Sequence, residues 1–263
     1  MTNSPPILDN KDASLPSVFS PAALLREARR QKGIADIDVP QICILDPDGD
    51  IVRRLVSSGQ ARPFVGWPCY HTTLFSFELG QNTVGIIGCA VGAPFAVLVA
   101  EELFASGCKL LVSLTSAGQI APAGPTPYFV VIDRGLRDEG TSYHYAKAAE
   151  FAHADPHLVA VAAEALTKQG LRCVVGPSWT TDAPFRETAA AIHSARRKGV
   201  LAVEMEAAAL YTFARAKDAR VLCLAHVTNT MGQSEGDFEK GEADGTADAL
   251  EVLETIIAAC ATS

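Results

Sequence analysis

"GIIGCAVGAPFAVLVAEELFASGCKLLVSLTSAG" (Gly85–Gly118) holds two apolar runs separated by a helical segment. The first run is continuous rather than alternating, which is the pattern of a strand covered on both faces. "APFAVLVAEELFASG" then carries Ala, Leu and Glu at helical spacing and stops at Gly107. "KLLVSLTSAG" resumes the apolar run and ends in small polar residues. Strand, helix and strand in that order predict two parallel strands joined by a crossover helix.

The same alternation continues on both sides. Apolar runs recur as "QICIL", "YFVVID", "RCVVG", "GVLAVEM" and "RVLCLAHVTN", and between several of them lie "DPHLVAVAAEALTKQG", "FRETAAAIHSARRKG" and "EAAALYTFARAKD". "DGTADALEVLETIIAACA" closes the chain as a further helix, and "SPAALLREARRQKG" opens it with Ser20 as cap, Pro21 in the first turn and Gly33 as stop. The expected fold is α/β: a single domain with a mixed, largely parallel central sheet covered by helices on both faces. Residues 1–16, polar and Pro-rich, are expected to be a flexible segment, loose or draped on a neighbour, with residues 17–263 forming the domain.

Composition narrows the function. The 263 residues carry a net charge of -8, with 48% hydrophobic and 20% charged residues. No nucleic-acid partner is expected from that balance, because the densest basic stretch, "REARRQKG", reads as the solvated face of one helix. The 7 cysteines occur singly, with no CxxC pair, so they read as small core residues in a reducing compartment rather than metal ligands. The N-terminus has no apolar signal core and no stretch reaches the length of a membrane span. A cytoplasmic protein with no membrane partner and no bound metal is the expectation.

In parallel sheets ligands bind beyond the carboxyl ends of the strands. That rule selects "CAVGAP", "SLTSAGQ", "RDEGTSYHY", "WTTDAPFRET", "VEMEA" and "HVTNTM". None contains GxGxxG, a phosphate loop, HExxH or GxSxG, so no cofactor is expected. The loops offer Glu204, Glu206, Thr115, Ser116, Thr141, Ser142, His144, Asp182, Arg186 and Asn229, with Tyr143, Trp179 and Phe185 as aromatic walls. Carboxylates accept from vicinal hydroxyls, amides read planar heterocycles, and aromatic rings give flat bases a stacking face. This set suits a nucleoside better than a nucleotide, for which more Arg and Lys are expected. Glu204 and Glu206 also admit a plainer reading as satisfied structural glutamates, Trp179 and Met205 as core, and Asn229 as a cap on the segment after it.

"VEMEAA" at the start of a helix that follows an apolar strand resembles the signature of the nucleoside phosphorylase and nucleosidase superfamily. "GIIGCAVGAPFAVLVAEELFASGCKLLVSLTSAG" and "RDEGTSYHYA" are similar to further segments of that family, and the resemblance runs from Gln41 to about Ala259 in element order. It implies that Glu206 binds the ribose hydroxyls, that Met205 packs under the sugar and that Glu204 supports the same site. It implies that Ser116, with Thr115 and Gly118 beside it, touches phosphate and ribose. Asn229 stands where purine-specific members carry a catalytic Asp. The loop with Thr181, Asp182, Phe185 and Arg186 would wall the base, Phe185 stacking and Arg186 meeting a base carbonyl, with His144 as a further substrate contact. The resemblance also implies a homo-oligomer, a dimer or ring of dimers.

Two departures strike one ligand. Phosphate is held by arginine forks, and the family takes one from a turn after its first strand and another from a later strand end. Here the first turn reads "LDPDGDIVRR", with Arg53 and Arg54 displaced along it, and the second reads "SLTS", with Ser113 in place of Arg. Three readings stay open, in this order. In the first, Arg53 or Arg54 completes the anion site and the protein is a phosphorylase using inorganic phosphate as co-substrate, with uridine or a 6-oxopurine nucleoside favoured. In the second, water replaces phosphate. In the third, the pocket binds a nucleoside without turning it over.

Overall fold

In the computed structural model, residues 5–231, 237–238, 240 and 242–261 are described. Ser20 accepts the Ala23 amide at 3.3 Å and opens α1 (Pro21–Lys32), which stops at Gly33 in the left-handed region, φ 66°. There follow β1 (Ile42–Asp46), α2 (Asp50–Ser57), β2 (Arg62–Pro63), β3 (Phe75–Leu79), β4 (Asn82–Gly88), α3 (Ala93–Ala105), β5 (Leu110–Gln119) and β6 (Tyr128–Asp138). The second half adds β7 (Phe151–His153), α4 (Pro156–Lys168), β8 (Cys173–Thr181), α5 (Ala189–Arg197), β9 (Ala202–Glu204), α6 (Ala207–Lys217), β10 (Arg220–Asn229) and α7 (Thr246–Cys260).

The continuous apolar runs become strands buried on both faces. In β1, Cys43 and Leu45 join the core shared with α3 and α6, while Ile44 between them joins the core shared with α2, α4 and α7. The same split divides Val221 and Cys223 of β10 from Leu222 and Leu224. α1 packs on α3, α3 on α6, and α4 on α7, so helices cover both sides. The mixed sheet therefore matches the expected class. Its pairings are as often antiparallel as parallel, the parallel ones being β1 with β4 and β5, β5 with β10, β6 with β8, and β8 with β9.

One feature of the topology was not expected. β10 pairs with β5 on one side and β6 on the other, and β6, β8 and β9 lead back to β5. Half of the sheet is thus a closed ring, and the antiparallel pairs β10–β6 and β5–β9 make the closure. β1, β4, β3 and β2 extend from β5 as an open wing. The carboxyl ends of β5, β8, β9 and β10 converge where the ring meets the wing. A register shift between Val227 and Asn229 inserts Thr228 as a bulge and sets Asn229 opposite Gly118.

The N-terminal segment lies on its own chain over the described part. Its short 3-10 turn Pro6–Leu8 sits on the second such turn, Thr141–His144, and Ile7 comes close enough that a Cβ on Gly140 would meet its Cδ1 at 3.1 Å. No helix among the described residues is long and apolar enough to cross a membrane.

Candidate functional site

Glu204 ends β9 and Glu206 caps α6 two residues later. Glu204 is 4% exposed and accepts four hydrogen bonds. Ser178 and Thr180 of β8 donate to Oε1 at 2.9 and 2.5 Å, and the Glu206 and Ala207 amides donate to Oε2 at 2.7 Å each. These are the otherwise unpaired N–H groups of the first turn of α6. Glu204 therefore stitches β8, β9 and α6 together, which is the plainer of its two readings.

Glu206 is different. It is 1% exposed, Oε1 accepts the Gly92 amide at 2.7 Å, and Oε2 accepts only its neighbour's amide, Met205 N–H, at 3.3 Å. Burial first, and the charge of Glu204 second, push its carboxyl up to about 8. A carboxyl so placed has acceptor capacity left for a ligand. It also makes stability depend on pH. Because the folded value lies above the ordinary 4.5, the folded chain holds this proton where the unfolded chain releases it. The associated stability is fully present below pH 4.5 and is lost as the pH rises to about 8. Thermal midpoints are expected to fall across that window in the wild type and to fall less in Glu206→Gln, which cannot ionise. Parallel curves for the two proteins would remove the assignment.

A cavity of 380 Å³ opens over these two carboxyls, a size within the range of small-ligand sites. Thr115, Ser116, Gly118, Phe185, Glu204, Met205, Glu206 and Asn229 line it, as the sequence reading grouped them. Phe185 stands at the rim, 99% exposed, and Phe238 faces the same opening at 65%. Glu187 also lines the cavity, and burial pushes its carboxyl up to about 7. Asn229 is committed to its own turn: Oδ1 accepts the Met231 amide at 3.0 Å, and Nδ2 donates to Thr228 Oγ1 at 3.2 Å and the Ala117 carbonyl at 3.4 Å. A Cβ on Gly118 would lie 2.5 Å from Met231 Sδ, so any side chain there would displace the methionine.

Ser116 already has an anion. Its amide donates to Asp48 Oδ2 at 2.7 Å and its hydroxyl to Oδ1 at 2.8 Å. Asp48 follows β1, and its side chain lines the same cavity. No Arg or Lys lines this cavity among the described residues.

Other expected site residues lie elsewhere. Arg53 pairs with Asp50 and donates to the Asp48 carbonyl at 3.1 Å, with its side chain 62% exposed, and Arg54 is exposed on α2. The eight-residue α2 begins at Asp50 and carries both arginines on its exposed surface, and neither lines the cavity. Thr181 is buried at the end of β8, where its hydroxyl accepts the Ala183 amide at 3.2 Å. Asp182 accepts the Gly140 amide at 2.8 Å, and Arg186 is exposed. His144 is exposed, and with Asp182 it lines a separate cavity of 1210 Å³ between α1, α3 and the N-terminal segment. That cavity is larger, and Glu102 on its wall is a buried carboxyl whose Oε2 has no partner among the described residues. The smaller one is lined by the ends of β5, β9 and β10, where such sheets hold ligands, and is the better site. Trp179 is core, donating to Asp138 at 3.0 Å, and Tyr143 packs on the Arg137 guanidinium at 4.5 Å.

Residues 41–261 match the family model described as "Phosphorylase superfamily". The chain belongs to the phosphorylase superfamily. A uridine phosphorylase of Thermococcus kodakarensis is 26% identical over 235 residues, covering 82% of this chain and 83% of the relative. A DeoD-type purine nucleoside phosphorylase of Geobacillus kaustophilus is 30% identical over 200 residues, covering 69% and 82%. These relatives are pentosyltransferases, the enzyme class expected from the sequence. The solved uridine phosphorylase of Vibrio fischeri ES114 superposes with a TM-score of 0.72 at 22% identity, over 86% of this chain and 95% of that one. The purine nucleoside phosphorylase of Toxoplasma gondii in complex with immucillin-H gives 0.72 at 17%, over 86% and 92%.

For this phosphorylase-superfamily chain, the sequence reading missed Asp48, Val91, Glu187, Met231 and Phe238 on the cavity wall. In "LDPDGD" the sequence reading weighs only the arginines that follow it. The carboxylates left in that turn, at a strand end, were the signal available for Asp48.

Proposed function

We propose that this chain cleaves the N-glycosidic bond of a nucleoside in the 380 Å³ cavity and passes the pentose to inorganic phosphate. The observation that carries the reading is Glu206, a buried carboxyl with acceptor capacity facing a cavity that Phe185 and Phe238 flank with exposed rings. A sugar diol donates to Glu206, Met205 packs beneath the sugar, and the base lies between the phenyl rings. As the C1′–N bond breaks, its electron pair leaves with the base, and a phosphate oxygen forms the new bond to C1′. The base then takes up a proton, for which Glu187 is placed. Glu206 works by holding the sugar more strongly as positive charge gathers on it. The homo-oligomer implied by the resemblance belongs to this proposal and is read from the molar mass in solution.

A second reading, with water as acceptor, is favoured by one observation: the Ser116 donors hold Asp48. The deciding experiment is release of free base from uridine, thymidine, inosine, guanosine, adenosine and methylthioadenosine, with and without phosphate. Phosphate-dependent release with pentose 1-phosphate as product supports the first reading. Release at the same rate without phosphate supports the second. Binding of a nucleoside with no release under either condition would refute both.

A further inference from the structure

Asp48 makes a two-point contact through its carboxylate, and both donors belong to Ser116. A backbone N–H and a hydroxyl converging on one carboxylate form an anion site, and a phosphate would ask for the same two donors. The surroundings oppose a second anion. Asp46 and Asp50 share the turn, and Glu206 lies near enough for its proton affinity to feel the Asp48 charge. His226, also on the wall of a 20 Å³ cavity beneath Asp48, is buried and held neutral, its pKa lowered to about 4 mainly by burial. Among the described residues two cations are close, and both pair with Asp50: Arg53 and Lys240, which donates to it at 2.6 Å and also stands 4.0 Å from Asp48.

We propose that Asp48 is the residue that selects the acceptor: its carboxylate occupies the anion-binding donors of Ser116, so inorganic phosphate enters only by displacing it. The inference rests on the cleavage reading above for its meaning in turnover. Lys240, 4.0 Å away, is the cation towards which the displaced carboxylate turns. A phosphate bound with Asp48 in place would meet a like charge at contact distance, which is the strongest discrimination a small site can apply. Asp48 thus sets the phosphate requirement of the site, and the arginines missing from the cavity wall are one part of the same arrangement.

The test is the affinity for inorganic phosphate, measured by calorimetry at constant ionic strength so that screening is equal throughout. Asp48→Ala is expected to bind phosphate about tenfold or more tightly than the wild type, the size of one removed contact repulsion. Asp48→Asn keeps an acceptor for Ser116 but no charge, and is expected to fall between the two. It also serves if the Ala variant fails to fold. Adding Ser116→Ala to Asp48→Ala removes the hydroxyl and leaves the backbone N–H, and should reduce the gain. Unchanged or weaker phosphate binding in both Asp48 variants, or a gain undiminished by Ser116→Ala, overturns the assignment. The two proposals fail separately. If no variant releases base while phosphate affinities change as expected, the cleavage reading falls and the role of Asp48 stands. If base is released and the Asp48 variants gain no phosphate, the reverse holds.

Discussion

Glu206→Gln is expected to lower kcat/KM for base release by about 30- to 1000-fold, the equivalent of ~2–4 kcal/mol of transition-state stabilisation. The amide keeps the size of the side chain and loses what the reaction uses. It cannot become an anion as charge gathers on the sugar. If its NH2 takes the place of Oε1, it faces the Gly92 N–H, a donor against a donor. Stability should move little or rise, because the substitution removes an ionisable group 1% exposed beside Glu204. A fall in activity with a retained thermal midpoint therefore separates a functional loss from a structural one. Normal turnover by the variant would end the assignment of Glu206 to the sugar.

The neighbouring glutamate gives the opposite result. Glu204→Ala is expected to cost about 3–5 kcal/mol of folding stability, read from the denaturation midpoint, with activity lost as a consequence. The four donors that converge on Glu204 lose their acceptor together, and Ser178 and Thr180 are both 0% exposed, so water cannot replace it without opening the strand ends. Glu204→Gln should not rescue fully. One amide oxygen can serve the hydroxyls of Ser178 and Thr180, but the NH2 then faces two backbone N–H groups. A Glu204→Ala protein within about 1 kcal/mol of the wild type would show that the network is dispensable.

What was legible in the sequence follows from which forces leave a local trace. Burial on both faces writes itself as an uninterrupted apolar run, so β1, β5 and β10 could be read directly, and with them the strand ends that hold Ser116 and Asn229. Closure of the ring leaves no such trace, because β10 with β6 and β5 with β9 join strands far apart in the sequence. The contact between Asp48 and Ser116 spans 68 residues and depends on β1 and β5 lying side by side. Polar residues at strand ends were also read too generously as ligand contacts. In "RDEGTSYHY", Arg137 donates to Ser142 and Lys147, and Glu139 accepts the Ser142 amide, so much of the polarity goes into holding the loop's own shape. Asp182 and Thr181 serve their turns in the same way.

The ring closure leaves the sheet only short stretches of open rim. β8 is paired on its second flank by β9 at Ser178–Thr180, and the open wing ends at β2, two residues long, containing Pro63 and paired with Phe75 and Ser76 of β3. The other outlying strand, β7, has three residues. Proline withholds a donor, and strands this short offer too few groups to template an incoming chain. Copies of this protein should therefore meet through side-chain surfaces rather than by joining their hydrogen-bond ladders.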